Sequence, residues 1–121
     1  MVRAACFYAG LRKIETKDGN EIQEPWRPRS LYHYIQDHWH DPEVLIDISD
    51  VWEKRMQAVY AFKSQFYDPN SSEPSTYISQ PEFLDTLKFR AQTLGKMIGV
   101  TYAEGFNTVR KPGVDSLFLL K

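Results

Sequence analysis

The cluster Asp37-His38-Trp39-His40-Asp41 gathers side-chain types that ligate metals. Two histidines spaced two apart face one way on an extended chain, and imidazole nitrogen suits zinc and related ions. A third ligand has to come from elsewhere, and His33 is the only other histidine. The same residues fit a solvated loop closed by Pro42, with Trp39 tucked inward. Cys6 is the sole thiol. No sequence neighbour lowers its pKa, so it reads as a small buried apolar residue rather than a nucleophile. Asp47, between Ile46 and Ile48, fits a structural hydrogen-bond acceptor better than a catalytic base. The chain has no Gly-rich phosphate loop, no CxxC, no HExxH and no GxSxG. No serine or carboxylate sits in a spacing that specifies a catalytic set.

The elements that would position these residues are organised around residues 79–106, the longest helical signal. Leu84, Leu87, Ala91, Leu94 and Ile98 recur at spacings of three and four, which puts them on one helix face. Ser79 with Glu82 reads as a capping box, with Pro81 tolerated in the first turn. Gly95 and Gly99 would let another backbone approach closely, and they predict a bend near Gly99. Residues 1–9 read as a short helix ended by Gly10, with Val2, Ala5, Cys6 and Ala9 as a narrow apolar face. That helix has no N-cap residue, which predicts further chain upstream. Residues 14–29 read as a polar connection with a turn at Asp18-Gly19-Asn20. Within it, Trp26 either pins the loop to the body or belongs to a binding surface. Residues 30–36 and 43–48 read as strands joined into an antiparallel hairpin. Residues 50–66 predict a second long helix, capped by Asp50 and Glu53 with Ser49 sharing that role, and with Lys54 and Arg55 on its solvated face. Residues 67–79 form a Pro/Ser/Asn-rich loop of the kind that often serves as a lid. The tail after Gly105 reads as irregular, with an apolar patch at 117–120 that must dock. Together these predict one α+β domain over 1–121: a β-hairpin, two long helices and a short N-terminal helix.

Composition excludes several classes. The net charge of −1 lacks the basic excess of a nucleic-acid binder. No apolar run approaches the roughly 18 residues of a membrane span. A single cysteine cannot form an internal disulfide and fits a reducing compartment, hence a cytoplasmic location. The aromatic share of 14% predicts that large rings carry much of the packing.

The ordered segments YHYIQ, IDIS, AFKSQF and FLDTLKFRAQTLGKMIGVTYAEGF resemble the C-terminal half of the LmbE/PIG-L family. The opening MVRAACFYAGLRK is similar to the helix that follows that family's second metal motif, so the resemblance spans nearly the whole chain. These are zinc-dependent deacetylases of N-acetylglucosamine-type sugars, with a Rossmann-like α/β fold at full length. The likeness is greatest to the bacillithiol-biosynthesis branch, which deacetylates N-acetylglucosaminyl malate. The family's AHPDD-type and HPDH-type metal motifs are absent here, and His40-Asp41 aligns with neither. The resemblance therefore implies a C-terminal part lacking the zinc ligands and general base, inactive alone, with no metal bound by this chain.

What it implies for this chain is the wall and lid of a pocket for a small amino-sugar conjugate. Gln65 matches the family's SQ at a helix end facing the site. Phe83 falls where some relatives place a tyrosine, so apolar lining replaces oxyanion assistance. His33 lies on a strand edging the pocket. Arg90 and Glu104 read as structural charges with partners outside the chain. Relatives often form higher oligomers, which implies a possible homo-oligomer. A competing reading is a stand-alone α+β interaction module that kept the scaffold, binding a partner through Trp26, Trp39 and Tyr77.

Overall fold

A strand that residue type does not advertise organises the fold. The computed structural model describes residues 1–66, 74 and 76–120. Helices α1 (Val2–Tyr8), α2 (Trp52–Tyr60) and α3 (Pro81–Met97) combine with five strands: β1 (Thr16–Asp18), β2 (Glu21–Gln23), β3 (Tyr32–Tyr34), β4 (Val44–Asp47) and β5 (Ala103–Thr108). Short 3-10 turns occupy Ser49–Val51, Tyr77–Ser79 and Leu117–Leu119. The result is a small α+β domain with two antiparallel sheets, β1-β2 and β3-β5-β4.

β5 lies between β3 and β4, with Tyr34 and Val44 both opposite Phe106, and Asp47 opposite Ala103. Each outer strand is antiparallel to β5, so β3 and β4 run parallel and cannot form the hairpin expected of 30–36 and 43–48. That expectation is corrected: local turn signals cannot reveal a distant strand entering between two neighbours. A hairpin does exist, within the stretch expected to be a plain polar connection. β1 and β2 pair around Gly19-Asn20 with every strand residue exposed, so no burial pattern marks them.

α3 carries the predicted stripe: Ala91 and Leu94 are buried, and Leu84, Leu87 and Ile98 are half-buried. Pro81 takes the first helical position, where a missing N–H costs nothing. The Ser79–Glu82 capping box does not form. Ser79 Oγ instead accepts from Thr76 N–H at 2.8 Å and closes the preceding 3-10 turn.

The helix does not bend at Gly99 but stops. Gly99 has φ +72°, and Val100 N–H donates to Gly95 O at 2.9 Å while Gly99 N–H donates to Lys96 O at 3.4 Å. This is a Schellman closure, which turns the chain back on the helix it has just left. A Cβ on Gly95 would sit 2.7 Å from Val100 O and 2.8 Å from Thr101 O. The close approach expected at Gly95 is therefore made by the chain's own returning backbone.

α2 is shorter than the expected 50–66, and neither Asp50 nor Glu53 caps it through a side chain. The junction is held from the sheet. Asp47 Oδ1 accepts from Ser49 N–H at 3.0 Å and from Ser49 Oγ at 2.7 Å. Tyr102 N–H donates to Ser49 Oγ at 3.1 Å, and Ile48 N–H donates to Tyr102 O at 3.0 Å. This places Ile48, Trp52 and Met56 against Ala91 of α3 as the core, with Leu84 and Tyr102 packed on it. Trp52 and Tyr102 stack with centroids 4.2 Å apart and planes 11° apart.

The periphery is looser. α1 buries none of its residues and ends at Ala9 rather than at Gly10. It is tied down by Trp26 N–H donating to Ala9 O, and by Arg27, which donates to Phe7 O and lies over the Phe7 ring. The apolar patch expected to dock at 117–120 stays exposed, with Phe118 fully so. No described helix is long and apolar enough to cross a membrane.

Glu43 extends the β4–β5 ladder with its side chain. Its carboxylate pairs with Lys111 and accepts from Thr108 N–H at 2.7 Å and Thr108 Oγ1 at 2.9 Å. Lys111 first, then Thr108, lowers its pKa from 4.5 to about 2. A depressed carboxylate contributes stability that is present above the unfolded pKa and is lost as pH falls through the folded one. The stability advantage over Glu43→Gln should therefore hold above about pH 4.5 and vanish toward pH 2, as urea denaturation across that window would measure. The same titration applied to Gly95→Ala should show a loss of about 1–3 kcal/mol from overpacking against the returning backbone.

Candidate functional site

Where β3 ends and β5 continues, the sheet leaves a gap that α2 and α3 flank. A cavity of about 470 Å³ occupies it. α3 contributes Phe83, Leu87, Arg90, Ala91 and Leu94; α2 contributes Arg55 and Val59; β5 contributes Ala103, Glu104 and Gly105. The chain leaving β3 closes the remaining side with Tyr34, Ile35, Gln36, Asp37 and Trp39.

Of the three expected site residues, Phe83 lines this cavity. Its ring stacks with Phe66 at 6.0 Å and meets Tyr77 edge-on at 5.4 Å, forming an aromatic corner at one end. Gln65 and His33 do not line it, while their neighbours Phe66 and Tyr34 do. The position of His33 outside the lining has a simple cause. Successive strand side chains point to opposite faces, and His33 sits opposite Asn107 while Tyr34 points the other way. Gln65 is exposed in the turn after α2. The lid expected over residues 67–79 lies largely outside the described residues.

Three charged side chains in the lining were undervalued by sequence. Arg55, expected on a solvated face, is half-buried. Its guanidinium lies 5.4 Å from the Trp52 ring centroid and its Nε is 3.7 Å from Glu104 Oε1. The signal was available: Arg55 follows Trp52 by three, the spacing that places two side chains on one helix face. Arg90 and Glu104, expected to need partners outside the chain, find them within it. Arg90 Nη2 donates to Asp37 O at 2.7 Å, pinning the chain that leaves β3 against α3. The Arg55–Glu104 pair is about a third exposed on each side, so it contributes at most about 1 kcal/mol and serves to orient rather than stabilise.

The Asp37–Asp41 cluster resolves as a loop. Among the described residues no three His, Cys, Asp or Glu side chains form a group able to hold a metal ion. Trp39, expected to tuck inward, is 48% exposed and forms part of the cavity wall. Trp26 remains 69% exposed, so its backbone anchors the loop while its ring does not.

The described lining contains no Ser, Thr, Cys, His or Lys, and its ionisable side chains are Tyr34, Asp37, Arg55, Arg90 and Glu104. It offers apolar and aromatic walls, two guanidinium groups (Arg55, Arg90) and two carboxylates (Asp37, Glu104). Such a surface can enclose and orient a ligand.

No family model matches the sequence. The chain is similar to a solved structure, the conserved protein TT1542 from Thermus thermophilus, at 28% identity and a TM-score of 0.73. The match covers 93% of this chain and 44% of that one, so the chain spans less than half the length of that neighbour.

Replacing Phe83 with Ala should remove the hub of the aromatic corner. We expect a loss of about 1–3 kcal/mol, the lower part of the range for buried Phe because the ring is half-buried. Loss of ring-current shifts at both Phe66 and Tyr77 in NMR spectra would verify that the three rings act as one unit.

Proposed function

We propose that this chain is the C-terminal part of an LmbE/PIG-L-type sugar deacetylase. In the full-length α/β enzyme it would form the wall of the pocket that holds an N-acetylglucosaminyl conjugate, such as the intermediate of bacillithiol biosynthesis in the cytoplasm. One observation carries the reading. The segments that resemble the family, the SQF helix end, the FRAQTLG helix and the AEG strand, meet at a single cavity through Phe66, Arg90, Ala91, Leu94, Ala103, Glu104 and Gly105. A pocket wall in the full-length fold would draw on these segments together.

Zinc is the cofactor that the resemblance implies, and it polarises an amide carbonyl and acidifies a bound water when present. The described residues do not fit it, since no three ligating side chains converge. No step of hydrolysis is assigned to this chain through a metal. Its own contribution is binding: Phe83 and Trp39 line the cavity, and Arg90 holds the Trp39-bearing loop in place.

The stand-alone interaction module retains one supporting observation, the exposure of Trp26 at 69% and Tyr77 at 59%. Neither ring touches the other in the described contacts, and the cavity favours the pocket-wall reading.

The decisive experiment joins this chain to the metal-bearing N-terminal half of an LmbE/PIG-L deacetylase. Zinc-dependent acetate release from an N-acetylglucosaminyl substrate is expected, with Phe83→Ala raising KM more than it lowers kcat. A folded, zinc-loaded fusion that releases no acetate would overturn the proposal. Acetate release by the 121-residue chain alone, with stoichiometric zinc, would overturn the assignment of the metal to another segment.

A further inference from the structure

One side of the cavity, from Ile35 to Trp39, belongs to no helix or strand. β3 ends at Tyr34 and β4 begins at Val44, and both pair with β5. Between them, residues 36–42 make no backbone–backbone hydrogen bond among the described residues. Residues 36–41 are all exposed. A segment with solvated backbone and little burial opens at low cost while its paired neighbours stay in place. Its far end is fixed where Pro42 packs on Gly105, so closely that a Cβ on the glycine would sit 2.8 Å from Pro42 Cβ.

Among the described residues, one hydrogen bond ties this strap to a helix. Arg90 Nη2 donates to Asp37 O at 2.7 Å, and Arg90 makes no ion pair among those residues. The bond from Gln36 Nε2 to Tyr34 OH at 3.3 Å stays within the β3 end of the strap. Asp37 is exposed and Arg90 half-buried, so water can satisfy both the carbonyl and the guanidinium once their bond opens. An arginine forked onto a carboxylate would be a staple; one held by a single exposed carbonyl is a latch. Trp39, two residues past the latch, is the strap's ring in the cavity lining, and it contacts no other ring among the described residues.

We propose that residues 36–42 are a gate over the cavity, hinged at the end of β3 and at Pro42, with Trp39 as its cover and Arg90 as its latch. Swinging out breaks the Arg90–Asp37 bond and admits a ligand from the strap side, while α2, α3 and β5 remain as fixed walls. A hydrogen bond to a charged donor favours the closed strap by roughly tenfold to a hundredfold over the same strap without it. The inference rests on the cavity being the binding site, as the pocket-wall reading has it, and on no particular ligand.

The test is paramagnetic relaxation of methyl signals in the 121-residue chain, with a neutral nitroxide dissolved in the buffer. Ala91 and Ala103 are buried residues of the lining, which the probe reaches when the strap is open; Met56 is buried outside the lining and serves as the control. Arg90→Met should raise relaxation at Ala91 and Ala103 about tenfold or more over the parent chain and leave Met56 unchanged. Arg90→Lys, which keeps a charged donor, should fall between the two. Trp39→Ala, at an exposed position away from the core, should expose the same two methyls, and so tests the cover even where Arg90→Met does not fold. An equal rise at Met56 would mean general loosening and would overturn the gate. Unchanged Ala91 and Ala103 in Trp39→Ala, or in a folded Arg90→Met, would overturn it as well. No sugar enters this test, so the gate stands or falls separately from acetate release by the fusion.

Discussion

The fold depends on the chain reversal at the end of α3. Gly95 leaves room for the carbonyls of Val100 and Thr101, and Gly99 supplies the left-handed residue that aims them. Everything after the reversal follows from where it delivers the chain. Tyr102 arrives over Trp52 and bonds the Ile48–Ser49 corner; Ala103 to Thr108 then run between β3 and β4. Neither outer strand has another pairing partner among the described residues. Without the reversal there would be two unpaired three- and four-residue strands, far below the size of a stable sheet.

This dependence explains which parts of the fold were legible in the sequence. The α3 stripe was readable because helix periodicity is local and its apolar residues do reach the core. β5 was not, because Ala103-Glu104-Gly105 and Asn107 are poor strand formers by type. Gly105 occupies its place for lack of a side chain: a Cβ there would sit 2.8 Å from Pro42 and 3.3 Å from Leu94. Close packing between strand and helix has overridden propensity at that position. Missing β5 forced the misassigned hairpin, since β3 and β4 then had only each other to pair with. β1 and β2 escaped notice for the opposite reason: both faces are solvated and leave no alternation to read.

The candidate site was half legible for related reasons. Phe83 was placed by resemblance and the cavity includes it. His33 and Gln65 each lie one residue from a lining position, because resemblance locates a segment while strand or turn geometry decides which of its side chains points inward. Arg55 was misread by composition, since a charged residue on a helix is usually solvated. Here Trp52 beneath it and Glu104 beside it make a half-buried position tolerable.

The polarity of the cavity is concentrated at one end. A pocket that binds a polar sugar needs convergent donors and acceptors, and this lining offers them chiefly at Arg55, Glu104 and Arg90, clustered where α2 and α3 face the end of β5. Tyr34, Gln36 and Asp37 add polar atoms on the side of the chain leaving β3, and the rest is ring and hydrocarbon. A wall so apolar orients a ligand only if a more polar surface stands opposite, since burying hydroxyl groups against hydrocarbon alone leaves them unsatisfied at a cost of about 1–3 kcal/mol each.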